Sequence, residues 1–287
     1  MGSVAEALEL FIQSLELTDR QRDEVSRQHT MVREELRQRL RQKTDFLSGS
    51  YSRHTAIRPL HDIDIFVVLG DVASTPSETP DAALKRVRQA LKAAWPNKEL
   101  PILQQHSVHL EFTTSGLEFD VVPAWQLPGP QEVYLIPERH TGRWIRTNPR
   151  RHQELSTQFN ERAGKKLKPL IKAVKHWNRQ QGSSPLGSFH LEAMSYTAFS
   201  SPPVGYLEGL EALFGYLVQR VMQPCPDPAG LGANVDARMT DGQREAARNL
   251  FMGAARTLRL AREERDSRPG DAHARLRAFF GNEYRER

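Results

Sequence analysis

The chain of 287 residues is long enough for one large domain or two lobes with ample core, and its 38% apolar fraction is low for a globular protein but far from disorder. A single cysteine, Cys225, excludes an intramolecular disulfide and a cysteine-rich zinc site. The net charge is +5, yet residues 139–179 hold twelve Lys or Arg against only Glu154 and Glu161, a local +10 that leaves −5 for the rest. A run of that sign attracts phosphates, although without context it reads as a solvated helix face. No apolar run approaches the length that spans a bilayer and no leader is visible, so a soluble protein is expected, with no membrane partner.

Residues 4–43 read as helix with a break near Thr18-Asp19. Ala5, Leu8, Phe11, Ile12 and Leu15 recur at helical spacing, and Thr18 is placed to cap the second segment. A short strand over 44–48 ends in a Gly49-Ser50 turn. Then Ile63, Ile65, Phe66, Val67, Val68 and Leu69 form a run of β-branched and apolar residues that predicts a buried strand. A Ser/Thr/Pro-rich loop (74–80) leads to a helix from Asp81 to about Trp95. Strands are predicted over 102–106, 107–113 and 117–124, the last two joined by Thr114-Ser115-Gly116.

From residue 153 the pattern is helical. In 165–180, Leu167, Leu170, Ile171, Val174 and Trp177 form an apolar stripe, with Lys168, Lys172, Lys175 and Arg179 on a neighbouring face. Further helices are predicted over 186–199, 206–222, 241–265 and 271–285, interrupted by a Pro/Gly-rich loop from Pro224. The organisation expected is a catalytic lobe over 1–150 and a helical lobe over 151–287.

Two aspartates open the apolar strand. Side chains alternate across a strand, so Asp62 and Asp64 share a face, and carboxylates that close repel unless a cation lies between them. Asp120 stands in a later strand, on one face with Glu118, while Phe119 and Val121 take the other. An acid in such a run is seldom buried without a partner. Three carboxylates on neighbouring strands, a Gly-Ser turn and a downstream basic helix fit phosphoryl chemistry. Mg²⁺ prefers hard oxygen ligands and completes its shell with phosphates and water. Two such ions (Mg²⁺ or Mn²⁺) would be held by Asp62 and Asp64, with Asp120 completing the site of the ion that carries the attacking hydroxyl. Gly49 permits close backbone approach to a phosphate, and Ser50 adds an N–H and a hydroxyl at a helix start.

Gly-Ser followed by Asp-x-Asp on a strand and a third strand aspartate resembles the signature of the DNA polymerase β-like nucleotidyltransferases. More closely, residues 49–69 are similar to the cGAS/DncV-like nucleotidyltransferases of bacterial anti-phage signalling, above all in Thr55-Ala56-Ile57-Arg58-Pro59-Leu60 before Asp62-Ile63-Asp64. Residues 166–178 are similar to a segment of the 2′-5′ oligoadenylate synthases. Ser188 to Glu192 and Asp227 to Asn234 also match the family's helical lobe, so coverage runs from about residue 20 to 265. The resemblance implies an α+β fold: a mixed sheet with a long N-terminal helix, plus a C-terminal helical lobe and a cleft between them. It implies metal binding and catalysis by Asp62, Asp64 and Asp120, a donor-phosphate turn at Gly49 and Ser50, and donor-triphosphate contacts from Lys175 and Ser188. Set against those roles, Lys175 reads as a solvated helix residue and Ser188 as a helix cap.

Tyr51 and Tyr196 read as core or as base-stacking residues. His54, His61, His106, His109, His176 and His190 show no metal-ligand spacing and stay unassigned. One cysteine cannot build the Cys/His zinc element with which the animal DNA sensor of the family grips DNA. The terminal Tyr284-Arg285-Glu286-Arg287 argues against attachment through a small C-terminal residue.

The function expected is a bacterial cytoplasmic enzyme that joins nucleoside triphosphates into a cyclic di- or trinucleotide with release of pyrophosphate, the product acting on a separate effector protein. The alternatives are linear oligonucleotide synthesis or nucleotidyl transfer to an RNA end, and a catalytically silent binding module. Three intact carboxylates argue against the last. Activation by nucleic acid bound at residues 139–179 is conceivable but not the favoured reading.

Overall fold

Ser3 and Thr18 each begin a helix by the same device. Ser3 Oγ accepts from the Glu6 amide while the Glu6 carboxylate accepts from the Ser3 amide, and Thr18 pairs with Gln21 in the same reciprocal way. From these caps run α1 (Val4–Ser14) and α2 (Asp19–Leu40). The computed structural model describes residues 2–60, 62–182 and 186–286, so His61 and Arg287 lie outside the described residues.

After α2 come β1 (Thr44–Leu47), α3 (Gly49–Ser52), β2 (Asp62–Asp71), α4 (Pro80–Ala94), β3 (Ile102–Leu103), β4 (Val108–Phe112), β5 (Leu117–Gln126), β6 (Tyr134–Glu138) and β7 (Arg143–Thr147). The helices α5 (Pro149–Arg162), α6 (Leu167–Arg179), α7 (Ser188–Ser195), α8 (Tyr206–Arg220), α9 (Asp241–Glu264) and α10 (Pro269–Phe280) complete the order. The chain divides into a sheet unit, 17–54 with 59–153, and a helical unit, 1–16 with 55–58 and 154–287. Thus α1, grouped with the sheet in the sequence reading, counts with the helical unit. Its Val4, Leu8, Phe11 and Ile12 are buried in that unit's core.

In the sheet unit the described residues form one sheet of seven strands, in the order β1-β2-β5-β4-β3, with β6 pairing β5 and β7 pairing β6. Among the described residues the β2–β5 pairing is parallel and the other pairings are antiparallel. Alternation sorts β2 into two faces. Ile63, Ile65 and Val67 meet Leu84, Val87 and Leu91 of α4 and Val25, Val32 and Leu36 of α2. Phe66 and Val68 turn to the other face, with Val122, Ala124 and Tyr134. Asp45 ties β1 to α2: burial alone would raise its pKa, but hydrogen bonds from Arg37 and Arg33 outweigh that and hold the carboxyl low.

The predicted strand over 102–106 shortens to two residues, and β6 and β7 are strands that periodicity did not announce. Pro137 interrupts the donor pattern of the first, and the second is mostly half-exposed and carries Arg143 and Arg146.

The helical unit is built on an aromatic cluster. Trp177 stands edge-on to Phe214 at 4.8 Å, and Phe11 lies 4.3 Å from Phe280. The expected helix over 271–285 stops at Phe280, because Gly281 takes φ +75°, and a short 3₁₀ turn (Gly281–Glu283) follows. Among the described residues no helix is long and apolar enough to cross a membrane.

Candidate functional site

Parity and register assemble the acids. In β2, Asp62 and Asp64 fall on the face of Phe66 and Val68. The parallel partner β5 sets Glu118 opposite Asp62 and Asp120 opposite Asp64. Four carboxylates therefore occupy the beginnings of two neighbouring strands on one face, where the apolar cluster of that face ends. Asp62 is exposed, while Asp64 and Asp120 are half-buried. The antiparallel neighbour β4 continues the row, with His109 opposite Asp120. Asp64, Asp120 and His109 thus stand level across three strands.

The Gly49-Ser50 turn lies over this row. Ser48 N–H donates to the Asp64 carbonyl at 2.8 Å, and the four-residue α3 starts directly afterwards at Gly49. Gly49 has φ +65°, and a Cβ at that position would overlap Asp64 Oδ2 and stand 2.6 Å from its Cγ. Only glycine lets the backbone pass so close to the carboxylate. Ser50 follows within α3, half-buried, and Ser52 Oγ donates to the Gly49 carbonyl at 3.2 Å.

The electrostatics follow from crowding. Burial, then the charge of Asp120 and, more weakly, that of Asp62, push the Asp64 carboxyl up to about 6, against the opposing pull of Arg53. Burial also raises Asp120, with Asp62 adding to it, although the hydrogen bond and charge of His109 pull it back. Such a cluster favours a cation. The donors are all hard oxygens, which suits Mg²⁺ or Mn²⁺ and not a soft metal. Among the described residues no three His, Cys, Asp or Glu side chains converge as a ready cage, so an ion here would draw part of its shell from phosphate oxygens and water.

Asp120 is gripped from its other side. His109 Nδ1 lies 3.1 Å from Asp120 Oδ1, and His109 Nε2 lies 3.7 Å from Glu118 Oε2. Gln104, with its amide nitrogen turned to the acceptors around it, donates to Asp120 Oδ1 and Oδ2 at 3.2 and 3.3 Å and to Ser107 Oγ at 2.6 Å. Sequence reasoning left His109 unassigned and passed over Gln104 and Arg53. The hairpin at Thr114-Ser115-Gly116 carried the missing signal for His109, since counting back from that turn sets it against Asp120. Gln104 and Arg53 had no comparable signal.

Lys175 and Ser188 belong to the helical unit. Lys175 is buried, which excludes its reading as a solvated residue. Its Nζ donates to Glu192 Oε2 at 3.0 Å, to the Thr55 carbonyl at 3.1 Å and to Thr55 Oγ1 at 3.3 Å. Glu192 is wholly buried and also accepts from Thr55 Oγ1 at 2.8 Å and from Tyr196 OH at 3.1 Å. Tyr196 itself is buried and stacks on Phe159, whereas Tyr51 is half-buried beside the core of the sheet unit. Ser188 is exposed in the first turn of α7, where Gly187 and not Ser188 is the cap residue.

The profile described as the Second Messenger Oligonucleotide or Dinucleotide Synthetase domain matches residues 2–160, more than half of the chain. A cyclic AMP-AMP-AMP synthase of Acinetobacter sp. (strain ATCC 27244 / 9458) is 32% identical over 198 residues, covering 65% of this chain and 54% of its own. One of the same name from Escherichia coli (strain MS 115-1) is 27% identical over 179 residues, covering 60% of this chain and 55% of its own. The chain thus spans about half the length of these curated relatives. Among solved structures, E. coli MS115-1 CdnC with ATP superimposes with a TM-score of 0.78 at 20% identity, over 98% of this chain and 99% of that one. The Vibrio cholerae DncV cyclic AMP-GMP synthase does so with 0.78 at 13% identity, over 96% and 94%. At these identities the likeness is one of fold: a mixed α/β sheet unit with a long N-terminal helix, followed by a helical region.

Proposed function

Because the chain belongs to the Second Messenger Oligonucleotide or Dinucleotide Synthetase family, we propose that it joins nucleoside triphosphates into a cyclic di- or trinucleotide, releasing pyrophosphate at each bond formed. The observation that carries this reading is the level pair Asp64 and Asp120 on parallel strands, with Asp62 beside them and the Gly49 backbone passing over Asp64. Acids whose own charges raise each other's proton affinity call for positive charge among them, which a divalent cation would supply.

In the proposed reaction a ribose hydroxyl oxygen attacks the α-phosphorus of a second nucleotide. The new P–O bond forms as the bond to the β-phosphate breaks, and pyrophosphate leaves with the electron pair. Asp120, whose proton affinity burial raises, is the proposed acceptor of the hydroxyl proton. Asp62 and Asp64 would hold two divalent cations, with Asp120 completing the site of one. Bound there, Mg²⁺ or Mn²⁺ acidifies the attacking hydroxyl and neutralises charge on the leaving group. Gly49 and Ser50 present backbone N–H groups to the donor phosphates. Ser188 and Lys175 are proposed as further donor-triphosphate contacts, and for Lys175 this requires its ammonium to turn away from Glu192 and Thr55. Ring closure repeats the step, with the growing product's own hydroxyl as nucleophile.

The two relatives named cyclic AMP-AMP-AMP synthases favour ATP as a substrate and a three-membered ring. A product of this kind acts as a diffusible signal on a separate effector, in anti-phage defence. The test is incubation with Mg²⁺ or Mn²⁺ and every combination of the four nucleoside triphosphates, followed by mass analysis. We expect a product resistant to phosphatase, and its loss in the Asp62→Asn, Asp64→Asn double variant with the fold retained. A final product whose 5′ end phosphatase removes would replace the cyclic reading by linear oligonucleotide synthesis. Undiminished product formation by the double variant would overturn the metal assignment.

A further inference from the structure

We propose that His109 is a positioning residue for the reaction, fixing the Asp120 carboxylate in the orientation in which it holds a divalent cation; this rests on the reading of Asp120 given above. Asp120 is tied into the sheet through its backbone, but its carboxyl group is free to turn about the Cβ–Cγ bond unless a donor fixes one oxygen. His109 supplies that donor from the adjacent strand, directly opposite in register, with Nδ1 3.1 Å from Oδ1. Asp64 flanks Asp120 on β2, across the strand from His109. The three side chains therefore form a row in which His109 grips Asp120 from the side away from Asp64. A carboxylate only accepts hydrogen bonds, so the Nδ1 position must carry the proton, while Glu118 Oε2 stands 3.7 Å from Nε2, beyond hydrogen-bond distance. Gln104 adds donors to both Asp120 oxygens from the β3–β4 turn.

Histidine suits the position for a further reason. A long Lys or Arg side chain would hold Asp120 with several mobile or forked donors, whereas the short planar imidazole aims a single N–H at Oδ1. Partners that stand behind metal-binding carboxylates in this way typically change metal affinity or activity by about 10–100-fold when removed.

The experiment uses the full chain and three variants. His109→Ala removes the donor. His109→Asn replaces it, since the asparagine Nδ2 occupies about the place of Nδ1. Asp120→Asn tests the underlying assignment. Mn²⁺ is titrated by calorimetry in the presence of a non-hydrolysable ATP analogue, and kcat, KM for ATP and thermal midpoint are measured alongside. We expect His109→Ala to weaken Mn²⁺ binding and lower kcat by about 10-fold or more each, with KM for ATP and the thermal midpoint nearly unchanged. His109→Asn should recover most of both losses. Wild-type Mn²⁺ affinity and kcat in His109→Ala, with Asp120→Asn inactive, would overturn the inference and leave the function standing. Failure of His109→Asn to restore either quantity, in a protein with the wild-type thermal midpoint, also overturns it. Full activity in Asp120→Asn would overturn the parent reading instead.

Discussion

Gly49 and Asp64 constrain each other more tightly than any other pair of side chain and backbone at the site. Gly49→Ala asks a residue with a Cβ to hold φ +65° and to overlap the Asp64 carboxylate. The turn must shift, at a cost of about 1–3 kcal/mol for the strained backbone, and the acids shift with it. Turnover should fall on the order of 100-fold, the usual consequence of misplacing reacting groups by an ångström. Thermal unfolding and product assays on the same preparation check both. Asp64 gives a second prediction through its raised proton affinity. A carboxyl with an ordinary value of 3.8 in the unfolded chain and about 6 in the fold stabilises the fold when protonated. That stability is fully present below 3.8 and is lost as pH rises through about 6. In chelator, Asp64→Asn should therefore be more stable than wild type at neutral pH, on the order of 1–3 kcal/mol. The difference should vanish at acid pH, and Mg²⁺ should stabilise the wild type but not the variant. Equal stability of the two proteins across the pH range would refute it. The aspartates were legible in sequence because period two puts Asp62 and Asp64 on one face wherever the strand lies. Their crowding with Asp120 was not, since it depends on the register between strands that are far apart in the chain.

At the scale of elements, α6 shows what periodicity cannot resolve. Its apolar stripe, Leu167, Leu170, Ile171, Val174 and Trp177, was plain, and all five are buried. Its lysines fall on a neighbouring face, which without context reads as solvated. Lys172 and Lys175 are instead nearly as buried as the stripe, because Glu16 and Glu192 meet them, at 2.5 and 3.0 Å. Those acids stand on α1's C-terminal side and on α7, so no local pattern could pair them. Removing one member of a buried ion pair typically costs about 3–5 kcal/mol, whereas replacing both by apolar residues costs little. Lys175→Met should therefore lower stability by about that amount, and the added Glu192→Leu change should recover most of it, as read by denaturant unfolding. The same proteins separate two roles of Lys175. If it contacts the donor triphosphate, both single and double variants raise KM for ATP at temperatures where each is folded. A double variant with wild-type KM would leave Lys175 a purely structural cation that holds Thr55 and Glu192.

For the whole molecule the question is what the +10 stretch between Arg139 and Arg179 does. Its charge is not spread over one face of one element. The stretch runs from the end of the sheet unit into the helical unit, whose boundary falls between residues 153 and 154. Within it Arg139 pairs with Asp81 at 3.1 Å, Arg150 pairs with Glu132, Lys172 and Lys175 are buried against acids, and Lys166 donates to the carbonyls of Pro203 and Val204 at 2.8 and 2.9 Å. At least five of the twelve cations are thus committed to contacts inside the protein, which lowers the charge density that a nucleic acid backbone would meet. Phosphate contacts made by any cations of the stretch would weaken steeply with salt, because each contact releases counterions. Duplex DNA or RNA added to the protein at physiological ionic strength is accordingly expected to change the rate of the proposed product formation by less than about 2-fold. Stimulation of tenfold or more, falling linearly on a logarithmic salt axis, would show that the exposed cations form a regulatory nucleic-acid site despite these internal pairings. The slope of that line would then count the phosphates they contact.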